Sequence, residues 1–264
     1  MSEPIILSEH HSTGIATVRL NRPALHNAFD DALIETLTVE LQRLEADSTV
    51  RVVVLAANGR SFSAGADLNW MRRMADYSYD QNLADARQLA TLLRTLNNLS
   101  KPTVAKIQGP ALGGGVGLVA CCDMAVAAET ATFALSEVRL GLIPAVISPY
   151  VIQAIGERQA RRYFLTAERF AAEEALRIGL VHQIVAVEQL DSTIDQLCQT
   201  LLANSPAAQT AAKALIDAVG RGLDEATIND TAHRIAQIRA SREGREGVAA
   251  FLEKRPAAWV SNPS

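Results

Sequence analysis

Glu137 follows an apolar segment in the run Phe133-Ala134-Leu135-Ser136-Glu137-Val138-Arg139-Leu140-Gly141-Leu142-Ile143-Pro144. A carboxylate in such surroundings can have its pKa raised toward neutrality and act as an acid or base. The same residue could instead be a solvated partner of Arg139. Two further clusters contain small residues that let backbone approach a ligand. Ser61-Phe62-Ser63-Ala64-Gly65-Ala66-Asp67-Leu68 leads into a helical pattern from about Asn69, and a helix N-terminus presents free N–H groups. Its plainer reading is a tight loop with Asp67 as a helix cap. Gly109-Pro110-Ala111-Leu112-Gly113-Gly114-Gly115-Val116-Gly117 opens a second apolar helix. Consecutive glycines there imply positive φ, close approach to a ligand, or close helix packing in a crowded core.

Other chemistries fit less well. Gly115-Val116-Gly117-Leu118-Val119-Ala120 matches a dinucleotide-binding fingerprint, with Glu137 about 20 residues on. However, Gly109–Gly114 separates it from the preceding strand pattern, where a nucleotide-binding turn is tighter. No nucleophile elbow occurs, since Ser63 is followed by Ala64-Gly65. His10, His11, His26, His182 and His233 lack H-x-x-x-H spacing, and Cys121-Cys122 is not C-x-x-C, so no metal site is expected.

The elements that must position these groups alternate between strand and helix, which indicates an α/β fold. Strands are expected at Ile15–Leu20, Val50–Ala56, Thr103–Ile107, Asp123–Ala127 and Thr132–Leu135. Ala32–Leu44 places Leu33, Leu37, Leu41 and Leu44 on one helical stripe, and Leu83–Leu99 repeats leucine at helical spacing. From Val187 to Phe251 the pattern is helical and Ala-rich, with breaks at Asn204-Ser205-Pro206 and Gly220–Gly222. This predicts a core over residues 1–200 and a smaller helical region over 201–264, with Asn262-Pro263-Ser264 frayed.

The chain has 264 residues, 48% of them hydrophobic, and a formal net charge of −4. That size and composition suit one large core. An acidic chain with no long basic run argues against a nucleic-acid surface. Three cysteines, two of them adjacent, make no disulfide framework and suit a reducing, cytoplasmic compartment. Met1–Leu7 has no basic n-region. The long apolar stretch from Gly109 to Ala128 is Gly-rich and contains Asp123, so no membrane span is expected.

Taken in order, the three clusters resemble the crotonase (enoyl-CoA hydratase/isomerase) superfamily. Asn21-Arg22-Pro23 before them resembles the family too, as does the closing run Glu246-Gly247-Val248-Ala249-Ala250-Phe251-Leu252-Glu253-Lys254-Arg255. The resemblance spans nearly the whole chain. It implies a spiral of β-β-α turns, with a C-terminal helical region that builds a homotrimer or hexamer. It implies an acyl-CoA thioester substrate and no cofactor, coenzyme A being part of the substrate. The backbone N–H groups of Ala66 and Gly114 would polarise the thioester carbonyl, and Glu137 would be the catalytic carboxylate. Contacts to the acyl-CoA carry over to Ala24, Leu25, Ala64, Ala66, Asp67, Leu68, Gly114 and Gly117. Lys254 would reach a neighbouring subunit's CoA phosphates.

Hydratases of the family use two glutamates, and the second position is Gly117 here. One carboxylate could still deliver both parts of a water, or it could move a proton between carbons as an isomerase does. The run Leu135–Tyr150, the segment Ala160–Phe170 and Gly117 itself are similar to bacterial methylglutaconyl-CoA hydratases of leucine degradation. The isohexenylglutaconyl-CoA hydratases of acyclic terpene degradation share the pattern. Hydration of a branched glutaconyl-CoA is therefore the leading expectation. A Δ3,Δ2-enoyl-CoA isomerase or a generic enoyl-CoA hydratase comes next. A non-catalytic acyl-CoA- or RNA-binding oligomer is disfavoured by retention of Glu137 and by the acidic charge.

Overall fold

A computed structural model of the chain describes residues 3–260 apart from 221 and 223. The expectation for residues 262–264 lies outside the described residues. A six-stranded sheet forms the centre, in the order β1 (Ile6–His10), β2 (Ile15–Leu20), β3 (Val52–Ala57), β4 (Thr103–Ile107), β6 (Met124–Ala128) and β9 (Gln183–Val185). The β1–β2 pair is antiparallel and all other neighbours are parallel. Strands β3 and β6 are near-continuous runs of apolar residues because both of their faces are covered. Val53, Leu55, Ala105, Ile107, Ala125 and Ala127 point into one core. Their neighbours Val52, Val54, Val104, Val126 and Ala128 point into the other, as the two-residue period of a strand requires.

The first core is closed by α1 (Asp31–Ala46) and α3 (Tyr79–Asn97), together with α4 (Gly114–Cys121) and α5 (Ser148–Thr166). The leucine stripe Leu33, Leu37, Leu41 and Leu44 is fully buried there. Asp30 starts α1 by accepting the Leu33 N–H at 2.9 Å, and Ser78 with Gln81 forms a capping box for α3. On the other face, α7 (Leu190–Leu202) buries Leu190, Ile194, Cys198 and Leu202. Residue 200 thus lies within a helix that covers the sheet. α8 (Pro206–Val219), α9 (Glu225–Ala240) and α10 (Arg242–Glu253) follow.

A second, three-stranded sheet joins β5 (Ala111–Leu112), β7 (Thr132–Ala134) and β8 (Phe170–Ala171), with α6 (Ala172–Arg177) directly after β8. The chain therefore alternates one strand in the large sheet, one in the small sheet and one helix: β4–β5–α4, then β6–β7–α5. The stretch from β3 through Ser63, which bridges Ala111, to α2 (Leu68–Ala75) is an abbreviated turn of the same spiral. This is the β-β-α arrangement that the resemblance implied.

Some boundaries shift for identifiable reasons. β3 begins at Val52 because the Val50 N–H closes a turn on the Asp47 carbonyl. β6 begins at Met124 because the Asp123 carboxylate accepts from the Thr103 N–H and hydroxyl. The short strands β1, β5, β8 and β9 were not anticipated. Among the described residues no helix is long and apolar enough to cross a membrane, and no group of His, Cys, Asp or Glu could hold a metal ion.

Candidate active site

The loop before α2 is held by a second segment, residues 22–30. The Phe29 N–H donates to the Gly65 carbonyl and the Asp67 N–H donates to the Phe29 carbonyl, both at 2.7 Å. In this short ladder the intervening Ala66 N–H points away from Phe29 and meets no acceptor among the described residues. Gly65 lies at φ +83°, a left-handed conformation that disfavours residues with a Cβ. The Asp67 carboxylate caps α2, accepting from the Asn69 and Trp70 N–H groups at 2.8 and 3.1 Å. Its side chain is thus committed to the cap, and the exposed surface here belongs to Ala66 and Leu68.

Two residues to which the sequence assigns no role, Asn27 and Arg22, brace this loop. Asn27 is fully buried. Its side-chain N–H groups donate to the Asn58 and Ser61 carbonyls at 2.9 Å, and its side-chain oxygen accepts the Arg22 N–H at 2.8 Å. Arg22 pairs with Asp30, the cap of α1, at 2.6 Å, and reaches Asp67, the cap of α2, at 3.9 Å. The helix starts on either side of the loop are thereby tied to one cation. Ala24 and Leu25 form an exposed 3-10 turn at the edge of this segment, and Ala64 is anchored by its N–H to the His26 carbonyl at 2.9 Å.

The glycine loop arrives from the small sheet. Ser63 bridges Ala111, and the Gly113 N–H donates to the Ala134 carbonyl at 2.9 Å. Gly113 has φ +50° and is the N-cap of α4, so Gly114 is the first helical residue. The Gly114 N–H belongs to the first turn, which has no intrahelical acceptor, and it donates to no described residue. The two loops touch: a Cβ on Gly65 would lie 3.9 Å from the Gly113 Cα. A Cβ on Gly113 would lie 3.1 Å from Glu137 Oε1. Ala66, Gly114 and Glu137 are therefore brought together, although 71 residues separate the first from the last.

Glu137 starts a 3-10 turn three residues beyond β7. It is half-buried, and its Oε2 is fully buried with no hydrogen-bond partner. Burial pushes its carboxyl pKa up, only partly offset by a hydrogen bond from its own backbone. Arg139 does not pair with it, so the solvated ion pair weighed from sequence is not formed. A carboxylate with one buried oxygen free of partners, beside two unused N–H groups, can exchange a proton with a substrate whose neighbouring oxygen gains negative charge.

Gly117 is not an open position. It is buried on α4, and a Cβ there would lie 3.0 Å from the Ile147 Cβ and 3.7 Å from Leu93 Cδ2. The Ile147 side chain occupies the space that a side chain at this position would need. Lys254 is exposed at the left-handed C-cap of α10, which packs chiefly on α8 and α9. The single chain does not bring Lys254 to Glu137.

Residues 10–262 match the family model described as enoyl-CoA hydratase/isomerase. An enoyl-CoA hydratase from Shewanella pealeana has a crystal structure that superposes with a TM-score of 0.94 at 45% identity, over 97% of this chain and 96% of that one. The 2,3-dehydroadipyl-CoA hydratase of Escherichia coli K12 is 34% identical over 97% of each chain. The short-chain-enoyl-CoA hydratase of Clostridium acetobutylicum is 30% identical over 94% of this chain and 95% of its own.

Proposed function

This chain belongs to the enoyl-CoA hydratase/isomerase family and is an enzyme of that family, and we propose that it hydrates a branched glutaconyl-CoA with Glu137 as its single acid–base group. The thioester carbonyl sits between the Ala66 and Gly114 N–H groups. A water held by Glu137 gives one proton to the carboxylate while its oxygen bonds to the β-carbon. The electrons of the double bond move to the thioester oxygen as an enolate. Two preorganised donors stabilise that charge, each worth about 2.7–4 kcal/mol of barrier in comparable sites. Glu137 then returns the proton to the α-carbon, and the thioester carbonyl re-forms. The net change is addition of one water.

The observation that carries this reading is the half-buried Glu137 carboxyl, its Oε2 buried without a hydrogen-bond partner, beside two unused backbone donors. The cover of Ile147 over Gly117 supports a mechanism with one carboxylate, because a second one has no room at that position. The choice of a 3-methylglutaconyl or isohexenylglutaconyl group rests on the similarity of Leu135–Tyr150 and Ala160–Phe170 to those hydratases. The relative named for 2,3-dehydroadipyl-CoA supports an acyl group with a distal carboxylate. A generic 2-enoyl-CoA substrate suits the same site, and the short-chain relative favours it. Proton transfer between carbons by Glu137 alone would make the enzyme a Δ3,Δ2-isomerase. A panel of straight and branched enoyl-CoA thioesters, followed by loss of enoyl absorbance, tests the proposal. The expected order places 3-methylglutaconyl-CoA first by kcat/KM. No turnover of any 2-enoyl-CoA would overturn it.

A further inference from the structure

A cavity of about 460 Å³ lies at the far end of α4, lined in part by Asn97, Ala120, Cys121, Tyr150 and Ala154. It is separate from the Glu137 site, but the same three helices run from one to the other. Along α4, Gly113 sits against Glu137 and Gly117 against Ile147, and Cys121 lines the cavity. Residues four apart share one side of a helix, and the rise is about 1.5 Å per residue. Gly117 therefore lies about 4.5 Å below Gly114 along the axis and Cys121 about 10.5 Å below it. On α3, Leu93 touches the Gly117 position and Asn97, one turn on, lines the cavity. Ile147 precedes α5, and Tyr150 and Ala154, one and two turns on, line the cavity as well.

One layer of contacts thus divides the two spaces: Ile147, 3% exposed, and Leu93, fully buried, closing over Gly117. We propose that Ile147 is the floor of the acyl pocket, setting the chain length that the enzyme accepts by shutting the catalytic site off from the cavity beyond it. This rests on the enoyl-CoA reading above. With the floor in place, a short or branched acyl group ends against Ile147 and a long straight tail has no continuation. Without it, the α4 side of the cavity offers Val119, Ala120 and Cys121 to an apolar tail. Glu137 and the two N–H donors belong to other segments and keep their chemistry.

The test compares kcat/KM for crotonyl-, hexenoyl-, octenoyl- and decenoyl-CoA in wild type, Ile147→Ala, and Ile147→Ala with Ala120→Phe. A single methylene in an apolar pocket is commonly worth about 10–200-fold in discrimination. The decenoyl-to-crotonyl ratio is therefore expected to rise at least about tenfold in Ile147→Ala. It should fall back in the double variant, where Ala120→Phe fills the cavity behind the opened floor. Should circular dichroism show Ile147→Ala unfolded, Leu93→Ala opens the same layer from α3 and Ile147→Val opens it by one methyl, and their ratios decide instead. A ratio unchanged in folded variants overturns the floor while leaving the enoyl-CoA reading intact. A wild-type enzyme inactive on all four thioesters and on 3-methylglutaconyl-CoA overturns that reading, and the floor with it.

Discussion

Replacing Glu137 by Gln should cripple turnover and stabilise the fold at the same time. Gln keeps the size of the side chain but cannot accept the proton of water. General acid–base groups contribute about 10²–10⁴-fold, or about 2.7–5.4 kcal/mol of barrier. The loss should fall on kcat with KM little changed, because the substitution leaves the Ala66 and Gly114 N–H groups, the proposed donors to the thioester oxygen, in place. The stability effect follows from burial. Glu137 Oε2 has no partner, and burial raises the carboxyl pKa. A raised pKa means that the native state holds this proton more tightly than the unfolded chain does. Stability therefore falls as pH rises through the window between the two pKa values, and the cost is fully present above the native one. Gln carries no charge, so Tm of Glu137→Gln should exceed that of wild type at neutral pH, and the gap should narrow toward acid pH. Thermal scans across pH, alongside steady-state kinetics, check both parts. The acid limb of wild-type kcat/KM should lie above the ordinary carboxyl range and vanish in the variant. A variant that is less stable at neutral pH and within tenfold of wild-type kcat would refute the assignment of Glu137 as an unpartnered catalytic base.

Substitutions at three further positions probe the rest of the site. Gly114→Pro removes the N–H at a helix position where proline fits, and Gly114→Ala makes the same contact with the Phe29 ring, 3.2 Å from a Cβ, while keeping the donor. Turnover by the proline variant should be at least about 10²-fold below that of the alanine variant, and equal rates would remove this loop from the mechanism. Gly117→Glu should not create a two-carboxylate hydratase. It forces Ile147 aside and costs about 1–3 kcal/mol of overpacking, read as a lowered Tm with no gain in kcat. Lys254→Glu should raise KM for CoA thioesters, most at low ionic strength, where charges are least screened, and the wild-type protein should sediment as a trimer or hexamer. A fully active monomer would contradict that prediction.

Much of this architecture was legible because its signals are local. The stripe of Leu33, Leu37, Leu41 and Leu44 follows from helical periodicity, and the unbroken valines of β3 suit a strand buried on both faces. Glycine clusters and a carboxylate after an apolar strand pointed to the site for a similar reason: each residue type there meets a backbone or solvation demand that few others meet. What could not be read is what depends on distant segments. Two-residue strands such as β5 and β8 carry no period of their own and exist only through their pairing with β7. Asn27 sits fully buried in a left-handed conformation that Asn tolerates better than most residues, but its three partners lie five to 34 residues away. Arg22 shows its role only once the caps of α1 and α2 are seen on either side of it. At Gly117 nothing in the sequence says what fills the space beside the bare backbone. Only the packing shows that Ile147, 30 residues on, has taken it.

Turnover of 3-methylglutaconyl-CoA in oxygen-labelled water tests the central claim most directly, with enoyl absorbance and product mass followed together. Absorbance should fall, and the product should be heavier by one labelled water. Glu137→Gln should yield this product at least about 10²-fold more slowly. A product isomeric with the substrate, or label incorporated at the wild-type rate by Glu137→Gln, would contradict that claim.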